Sequence, residues 1–280
     1  MTTSSEIAVV TGASTGIGAA TVRALAGRGY HVLAGVRREQ DAPNVEGRNV
    51  EPVILDITDP VQIGSLAARV GEAPVKALVN NAGIAVNAPV EALPLDEWRH
   101  QFEVNLFGHI AVTQALLPAL LRGNGRVVNI SSIGGKLALP TYGAYAGTKF
   151  ALEAVSDALR RELAPHGVEV VVVEPGGVRT EMNSRGTAVA NRLAADMTPE
   201  QRERYGPLVR AIVSHSAAFT KAGKSAEDAA KIVAKAVTER RPRTRYTIGR
   251  DAALMSRLSR ALPDRVLDRV LAADLRPHFS

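Results

Sequence analysis

Apolar residues in this chain gather in short runs that do not alternate with polar ones: IAVVTG (7–12), HVLAGVR (31–37), VEPVILDI (50–57), KALVNNAG (76–83), GRVVNISS (125–132) and VEVVVVEP (168–175). A strand with one face in water alternates, whereas a run apolar throughout predicts a parallel strand covered on both faces. Helix-length segments lie between the runs, among them 60–70, 95–121 and 141–163. PLDEW (94–98) reads as a helix start, with Pro and acids in the first turn. TRYTIG (244–249) predicts one further short strand. This strand–helix alternation predicts an α/β fold, a doubly wound and mostly parallel sheet with helices on both faces. The stretch 181–224 is long, mixed and polar, and predicts an insertion that covers something.

Composition narrows the picture. With 280 residues and 46% hydrophobic content, one sizeable core is available, and 1–280 reads as a single domain. Cysteine is absent, which excludes a disulfide framework and thiolate catalysis and predicts a reducing, cytoplasmic setting. The N-terminus has no basic region ahead of its first apolar run, and no uninterrupted apolar run is long enough to span a bilayer. Neither a signal peptide nor a membrane span is predicted. The net charge of +6 is concentrated, because residues 240–280 carry ten Arg, no Lys and four Asp while the rest of the chain balances. No basic face for a nucleic acid is implied. No H-E-x-x-H motif or paired His/Asp cluster appears, so no metal is predicted.

Chemistry enters at the first strand's end. VVTGASTGIGAAT puts Gly12, Gly16 and Gly18 at a strand-to-helix turn. Without Cβ atoms, a phosphate can approach backbone N–H groups at the helix N-terminus. The spacing G-x-x-x-G-x-G differs from the G-x-G-x-x-G fingerprint. Gly12-Ala-Ser14-Thr-Gly16 also matches the G-x-S-x-G nucleophile elbow of serine hydrolases, but only eleven residues precede it, too few for an oxyanion-hole strand. None of the six histidines stands out as its partner. An NAD site usually carries an acid near the end of the second strand, whereas a 2′-phosphate wants Arg. AGVRRE offers Arg37 and Arg38 and no acid at the strand end, which favours NADP(H) over NAD(H).

TYGAYAGTKF (141–150) supplies an acid–base pair. Residues i and i+4 of a helix have Cβ atoms about 5–6 Å apart, and Tyr145 and Lys149 stand in that relation. Tyr142 is two turns from Lys149, about 10.5 Å along the axis and out of contact. A phenol acting near neutrality must have its ionisation eased by roughly 3–4 kcal/mol. One ammonium at about 4 Å in an effective dielectric of about 20 supplies about that much. VVNISSIGG ends a strand thirteen residues earlier, where ligands sit in such sheets. Ser131 or Ser132 could donate a hydrogen bond to a carbonyl oxygen there.

TGASTGIG, NNAG, the Asn of VNLFG, NISS, YAGTK and PGGVRT, in that order, resemble the short-chain dehydrogenase/reductase family in its single-domain form, to about residue 250. The resemblance implies a Rossmann-like sheet, mostly of seven strands, and hydride transfer between NADP(H) and a carbonyl/alcohol pair. It implies that Tyr145 is the general acid or base, that Lys149 lowers its pKa and binds the nicotinamide ribose, and that Ser132 holds the carbonyl oxygen. Asn105 would anchor a water linking Lys149 to solvent. The loop Gly12, Ser14, Thr15, Gly16, Ile17 and Gly18 would carry the cofactor's phosphates. Arg37 and Arg38 would face the 2′-phosphate, Asp56 and Ile57 the adenine, and Asn81, Ala82 and Gly83 the adenosine ribose. Pro175, Gly176, Val178 and Thr180 would hold the nicotinamide carboxamide. A homo-dimer or homo-tetramer is expected of the family. A protein that keeps the cofactor site as a sensor or scaffold, without turnover, is the alternative; a complete set of four catalytic groups argues against it.

Substrate choice is expected to lie with 181–224, with Lys136 and Leu137, and with Tyr142; Met182 and Met197 could line an apolar pocket. The tail 250–280, with Leu254, Leu258 and Leu262 at i+4 spacing and Arg between, predicts a helical pair folded on the cleft or on another subunit. A basic amphipathic segment of that kind can also lie on a membrane surface. Similar tails in hydroxysteroid- and retinol-dehydrogenase-like members imply a lipophilic substrate.

Overall fold

β-Branched residues decide where the sheet forms. The computed structural model describes residues 6–279, and all seven apolar runs are strands in it. They are β1 (Ile7–Val10), β2 (His31–Val36), β3 (Val50–Ile54), β4 (Val75–Asn80), β5 (Arg126–Ile130), β6 (Glu169–Pro175) and β7 (Arg245–Ile248). Every pairing is parallel, in the order β3-β2-β1-β4-β5-β6-β7. The chain winds outward from β1 to β3, returns to the centre, and winds the other way from β4 to β7. The crevice at the carboxyl ends of β1 and β4, where the direction reverses, is where such sheets bind ligands.

Helices cover both faces. On one, α1 (Gly16–Ala26) and α8 (Ala226–Thr238) bring Val22, Leu25, Val233 and Val237 onto Val10, Val79 and Val128. On the other, α2 (Pro60–Val70), α4 (Gly108–Gly123) and α5 (Gly143–Leu163) bring Leu66, Leu116, Leu120 and Leu163 onto Val9, Leu33, Leu78 and Val127. Each such side chain, fully buried, contributes about 1.5–3 kcal/mol. Successive residues Val9 and Val10 serve opposite cores, which is why the strands read as unbroken apolar runs.

The segment expected as one helix over 95–121 is α3 (Leu95–Phe102) running into α4 through a π-helical turn, Glu103–Phe107. This helix is apolar and long enough to cross a bilayer, with mean hydropathy 1.5 over its best window, yet half of that window is buried inside the fold.

The stretch 181–224 forms two helices, α6 (Glu181–Ala195) and α7 (Pro199–Ala222). A capping box starts α7: Gln201 N–H donates to Thr198 Oγ1 at 3.2 Å, and Thr198 N–H donates to Gln201 Oε1 at 3.1 Å. The tail is helical as expected, with α9 (Arg250–Ala261) against β7 and α10 (Asp264–Leu275) with the turn after it against α7. It folds on its own chain and leaves Leu254 and Val266 exposed.

Candidate active site

The glycine loop and the β4 end are built against each other. Gly12 has φ +63°, and a Cβ there would lie 2.7 Å from the Ala82 Cα, so both conformation and space demand glycine. A Cβ on Gly18 would collide with the Gly12 carbonyl. Asn81 clips the two segments together, its Nδ2 donating to Thr11 O and Gly12 O at 3.0 Å each. Thr11 Oγ1 returns the contact, accepting from the Asn81 and Ala82 N–H groups, also at 3.0 Å.

The loop delivers the bare N-terminus of α1 to the crevice. Thr15 is its N-cap but makes no side-chain cap bond, and the first turn carries no acid. Thr180, the N-cap of α6, is equally uncommitted, and its Cγ2 lies 3.1 Å from where a Gly16 Cβ would be. Exposed N–H donors, a helix dipole and two free hydroxyls suit a phosphate. These residues fit a dinucleotide: Gly12 to Gly18 and Thr180 would hold its phosphates, Asn81 to Gly83 would line its ribose side, and Pro175, Gly176 and Val178 would face its nicotinamide end.

Two expected cofactor residues also make contacts within the protein. Ile57 buries its side chain in the core, where a Cβ on Gly108 would lie 2.8 Å from the Ile57 Cδ1, so only its backbone is left to face an adenine. Asp56 Oδ1 already accepts from Thr58 N–H at 2.9 Å and Thr58 Oγ1 at 2.7 Å. Of the two arginines after β2, Arg38 is bound to Asp41 at 2.9 and 3.1 Å. Arg37 is exposed and makes no hydrogen bond among the described residues.

At the end of β5, Ser132 caps a short turn, its Oγ accepting from Gly134 N–H at 3.0 Å. This turn lies against α5 at Tyr145: a Cβ on Gly134 would sit 3.1 Å from the Tyr145 ring and 3.4 Å from the Ser132 hydroxyl. Ser131 points away and is buried with its hydroxyl unpartnered, so Ser132 is the serine beside the tyrosine. The turn is tied to α5 by Lys136, whose Nζ is 2.6 Å from Glu153 Oε2 and 3.3 Å from Glu174 Oε1. Arg245 closes the cluster at 3.0 Å from Glu153. Lys136 was expected near the substrate; the buried carboxylates hold it in the protein instead.

Tyr145 and Lys149 are neighbours, but the electrostatics differ from the expectation of a phenol eased by direct contact with an ammonium. Lys149 Nζ lies 5.9 Å from the Tyr145 ring centroid and donates to Ile130 O at 2.9 Å. Tyr145 is part-buried, and the protein packed around its hydroxyl raises the phenol pKa above the ordinary value. The hydrogen bond with Ser132 works against that rise, and Tyr142 adds to it. Burial lowers Lys149 to about 8, opposed by the negative charge of Glu153.

Asn105 sits in the π turn and grips the irregular segment after β4. Its Nδ2 donates to Ile84 O at 2.9 Å and to Thr148 Oγ1 at 3.2 Å, while Oδ1 accepts from Ile84 N–H at 2.9 Å. π turns recur at functional sites because the extra residue re-aims a side chain.

Sequence reasoning missed the supports. His109 Nε2 donates to Ala82 O at 2.7 Å, and Asn80 Nδ2 donates to Thr113 Oγ1 and to Asn129 Oδ1 at 2.9 Å each. A buried polar side chain one helical turn from Asn105 was the available signal for His109.

The sequence pattern of the short chain dehydrogenase family matches residues 6–190. The chain belongs to this family. It is 33% identical to an NADPH-dependent 3-dehydrocapnine reductase of Ornithobacterium rhinotracheale, over 96% of this chain and 97% of that protein. It is 37% identical to retinol dehydrogenase 5 of Mus musculus, over 94% of this chain and 86% of that protein. A short chain dehydrogenase from Burkholderia cenocepacia J2315, solved in complex with NADP, superimposes with a TM-score of 0.74. It is 30% identical, and the match covers 97% of each chain. As a member of the family, the protein is an oxidoreductase of Rossmann-like fold that binds a nicotinamide cofactor.

Proposed function

We propose that this short-chain dehydrogenase uses NADP(H) to interconvert a lipophilic carbonyl compound and its secondary alcohol, with Tyr145 as general acid in reduction and base in oxidation. One observation carries the reading: Ser132, Tyr145 and the buried Lys149 meet at the carboxyl end of β5, beside a phosphate cradle, with arginine and no acid directly after β2.

The nicotinamide, when bound, supplies the hydride in reduction and takes it back in oxidation. Ser132 Oγ–H donates to the carbonyl oxygen and fixes it against Tyr145. As the C=O π pair moves onto that oxygen, Tyr145 gives it the phenolic proton. A raised phenol pKa keeps Tyr145 protonated and ready to donate, and the nearby cationic Lys149 stabilises the phenolate left behind. Lys149, ionising near pH 8, is suited to passing a proton back. Asn105 holds Ile84 and Thr148 so that this wall of the site stays in register.

The free Arg37 supports NADP(H), as do the NADPH dependence in the first relative's name and the NADP complex of the neighbour. A lipophilic substrate is supported by the second relative's name and by apolar groups close to Tyr142. Val90, 67% exposed, and Trp98 both approach Gly143, next to Tyr142.

The test is loss of NADPH absorbance with purified protein across ketones, aldehydes and quinones of increasing apolar length. Turnover that grows with chain length supports the proposal. Tight NADPH binding without turnover on any of them supports a sensor or scaffold instead.

A further inference from the structure

Three consecutive residues of α7 face two ways. Ser214 and His215 meet the tail: the Ser214 hydroxyl is 2.9 Å from His278 Nδ1, and His215 Nε2 is 2.8 Å from Asp274 Oδ2. Ser216 faces inward, its Oγ accepting from the Tyr142 hydroxyl at 3.2 Å. The Tyr142 ring meets Tyr145 edge-on at 6.2 Å. His215 also meets His278 edge-on at 5.3 Å and stacks on Phe219 at 6.1 Å. Phe219 in turn leans on the segment after β6, where a Cβ on Gly177 would lie 2.5 Å from its carbonyl oxygen.

Serine, histidine and aspartate together invite a hydrolytic relay, but the connections are wrong for one. Asp274 bonds one imidazole and Ser214 the other, so no single ring carries a proton from hydroxyl to carboxylate. The arrangement instead holds something in place. The buried residues of α7 are Gly206, Val209, Ala211 and Ile212, so its end from 213 to 222, which carries Ser214 to Ser216, has no fully buried side chain. Helical segments with so little apolar burial open easily unless other contacts fix them. Here those contacts come from the tail on the outside and from Tyr142 and Gly177 on the inside.

We infer that residues 274–278 are a clasp that sets the position of α7. Ser216, held there by the clasp, fixes Tyr142 beside Tyr145, so that Ser216 and Tyr142 help to choose the substrate. Asp274, His215 and His278 are then positioning residues that touch neither substrate nor cofactor. The substrate end of this inference rests on the oxidoreductase reading, whereas the clasp itself does not.

Hydrogen exchange on the full-length protein, with no substrate present, tests the clasp in an Asp274→Ala/His278→Ala double variant. Amides of 213–222 should exchange about three- to tenfold faster while those of β1 and β4 stay unchanged, the scale expected for losing two exposed hydrogen bonds. Kinetics with the best compound of the carbonyl panel tests the rest. Both the double variant and Ser216→Ala should raise the substrate KM by about two- to tenfold and leave the Kd for NADPH as in the parent protein. A purely structural defect would not separate the two constants. Unchanged exchange in 213–222 overturns the clasp, and unchanged substrate KM in Ser216→Ala overturns the role of Ser216. If the parent protein turns over no carbonyl, the oxidoreductase reading fails, while the exchange experiment still decides the clasp.

Discussion

Asn105 holds both polar groups of one backbone unit: its Nδ2 donates to Ile84 O and its Oδ1 accepts from Ile84 N–H, each at 2.9 Å. The side chain is fully buried, so neither bond can be replaced by water. Replacing Asn105 with Leu strands the part-buried N–H and C=O of Ile84 against an apolar side chain, at a cost of about 1–3 kcal/mol each. We expect Asn105→Leu to lose about 2–4 kcal/mol in urea melts and to lower kcat more than the NADPH affinity. A loss below about 1 kcal/mol would mean that Ile84 finds other partners.

The two tyrosines of TYGAYAGTKF should separate cleanly. Tyr145 adjoins Ser132 and Lys149, whereas the Tyr142 hydroxyl bonds Ser216. Tyr145→Phe removes the proton donor and should cost about 10²–10⁴-fold in turnover, with NADPH still bound. Tyr142→Phe should keep kcat within about threefold and act on KM, as the loss of one part-exposed hydrogen bond would. The opposite ranking in steady-state kinetics would sink the assignment.

Most of the fold was legible in the sequence because its strands are unusual in one respect: runs such as VEVVVVEP are apolar on both faces, and only a sheet covered twice tolerates that. The Tyr145–Lys149 relation was legible for a similar reason, since helix periodicity fixes it locally. What stayed hidden depends on contacts between distant residues. The π turn at Glu103–Phe107 slips the helical register so that Asn105 meets Ile84, and no local propensity reports such a slip. The cluster of Lys136, Glu153, Glu174 and Arg245 joins four separate elements, so Lys136 read as a free pocket residue. The helices in 181–224 were within reach: TPEQ at 198–201 is a capping-box sequence followed by a helix, but the polar surroundings masked it.

Arg37 should govern cofactor choice almost alone, because Asp41 already holds Arg38. A hydrogen bond to a charged group contributes about 1.5–3 kcal/mol, or roughly 10- to 100-fold in affinity. Arg37→Asp should therefore shift the NADPH/NADH ratio of Kd values toward NADH by about that factor. Asp41→Ala, which frees Arg38, should leave NADPH binding as tight or tighter. Titration of both cofactors by protein fluorescence checks this, and an unchanged ratio in Arg37→Asp would show that the loop after β2 does not read the 2′-phosphate.

Burial of His109 sets an acid limit on the stability of the protein. Burial first, and the positive charge of Lys149 second, lower its pKa from 6.5 to about 3, while its bond to Ala82 O opposes the shift. The folded protein thus keeps this ring neutral, with Nε2–H donating to Ala82 O and steadying the NNAG turn. Between pH 6.5 and about 3 the unfolded chain binds a proton here that the folded chain refuses. Stability therefore falls as the pH falls, by about 1.4 kcal/mol per pH unit. His109→Gln has no such proton to take up. It should be less stable than the parent at pH 7 through loss of the Ala82 contact. The difference should shrink by about 3 kcal/mol, or reverse, between pH 7 and pH 4. Urea melts of both proteins across that range decide it. A difference that stays constant with pH would mean that His109 takes up its proton in the folded state as readily as in the unfolded chain.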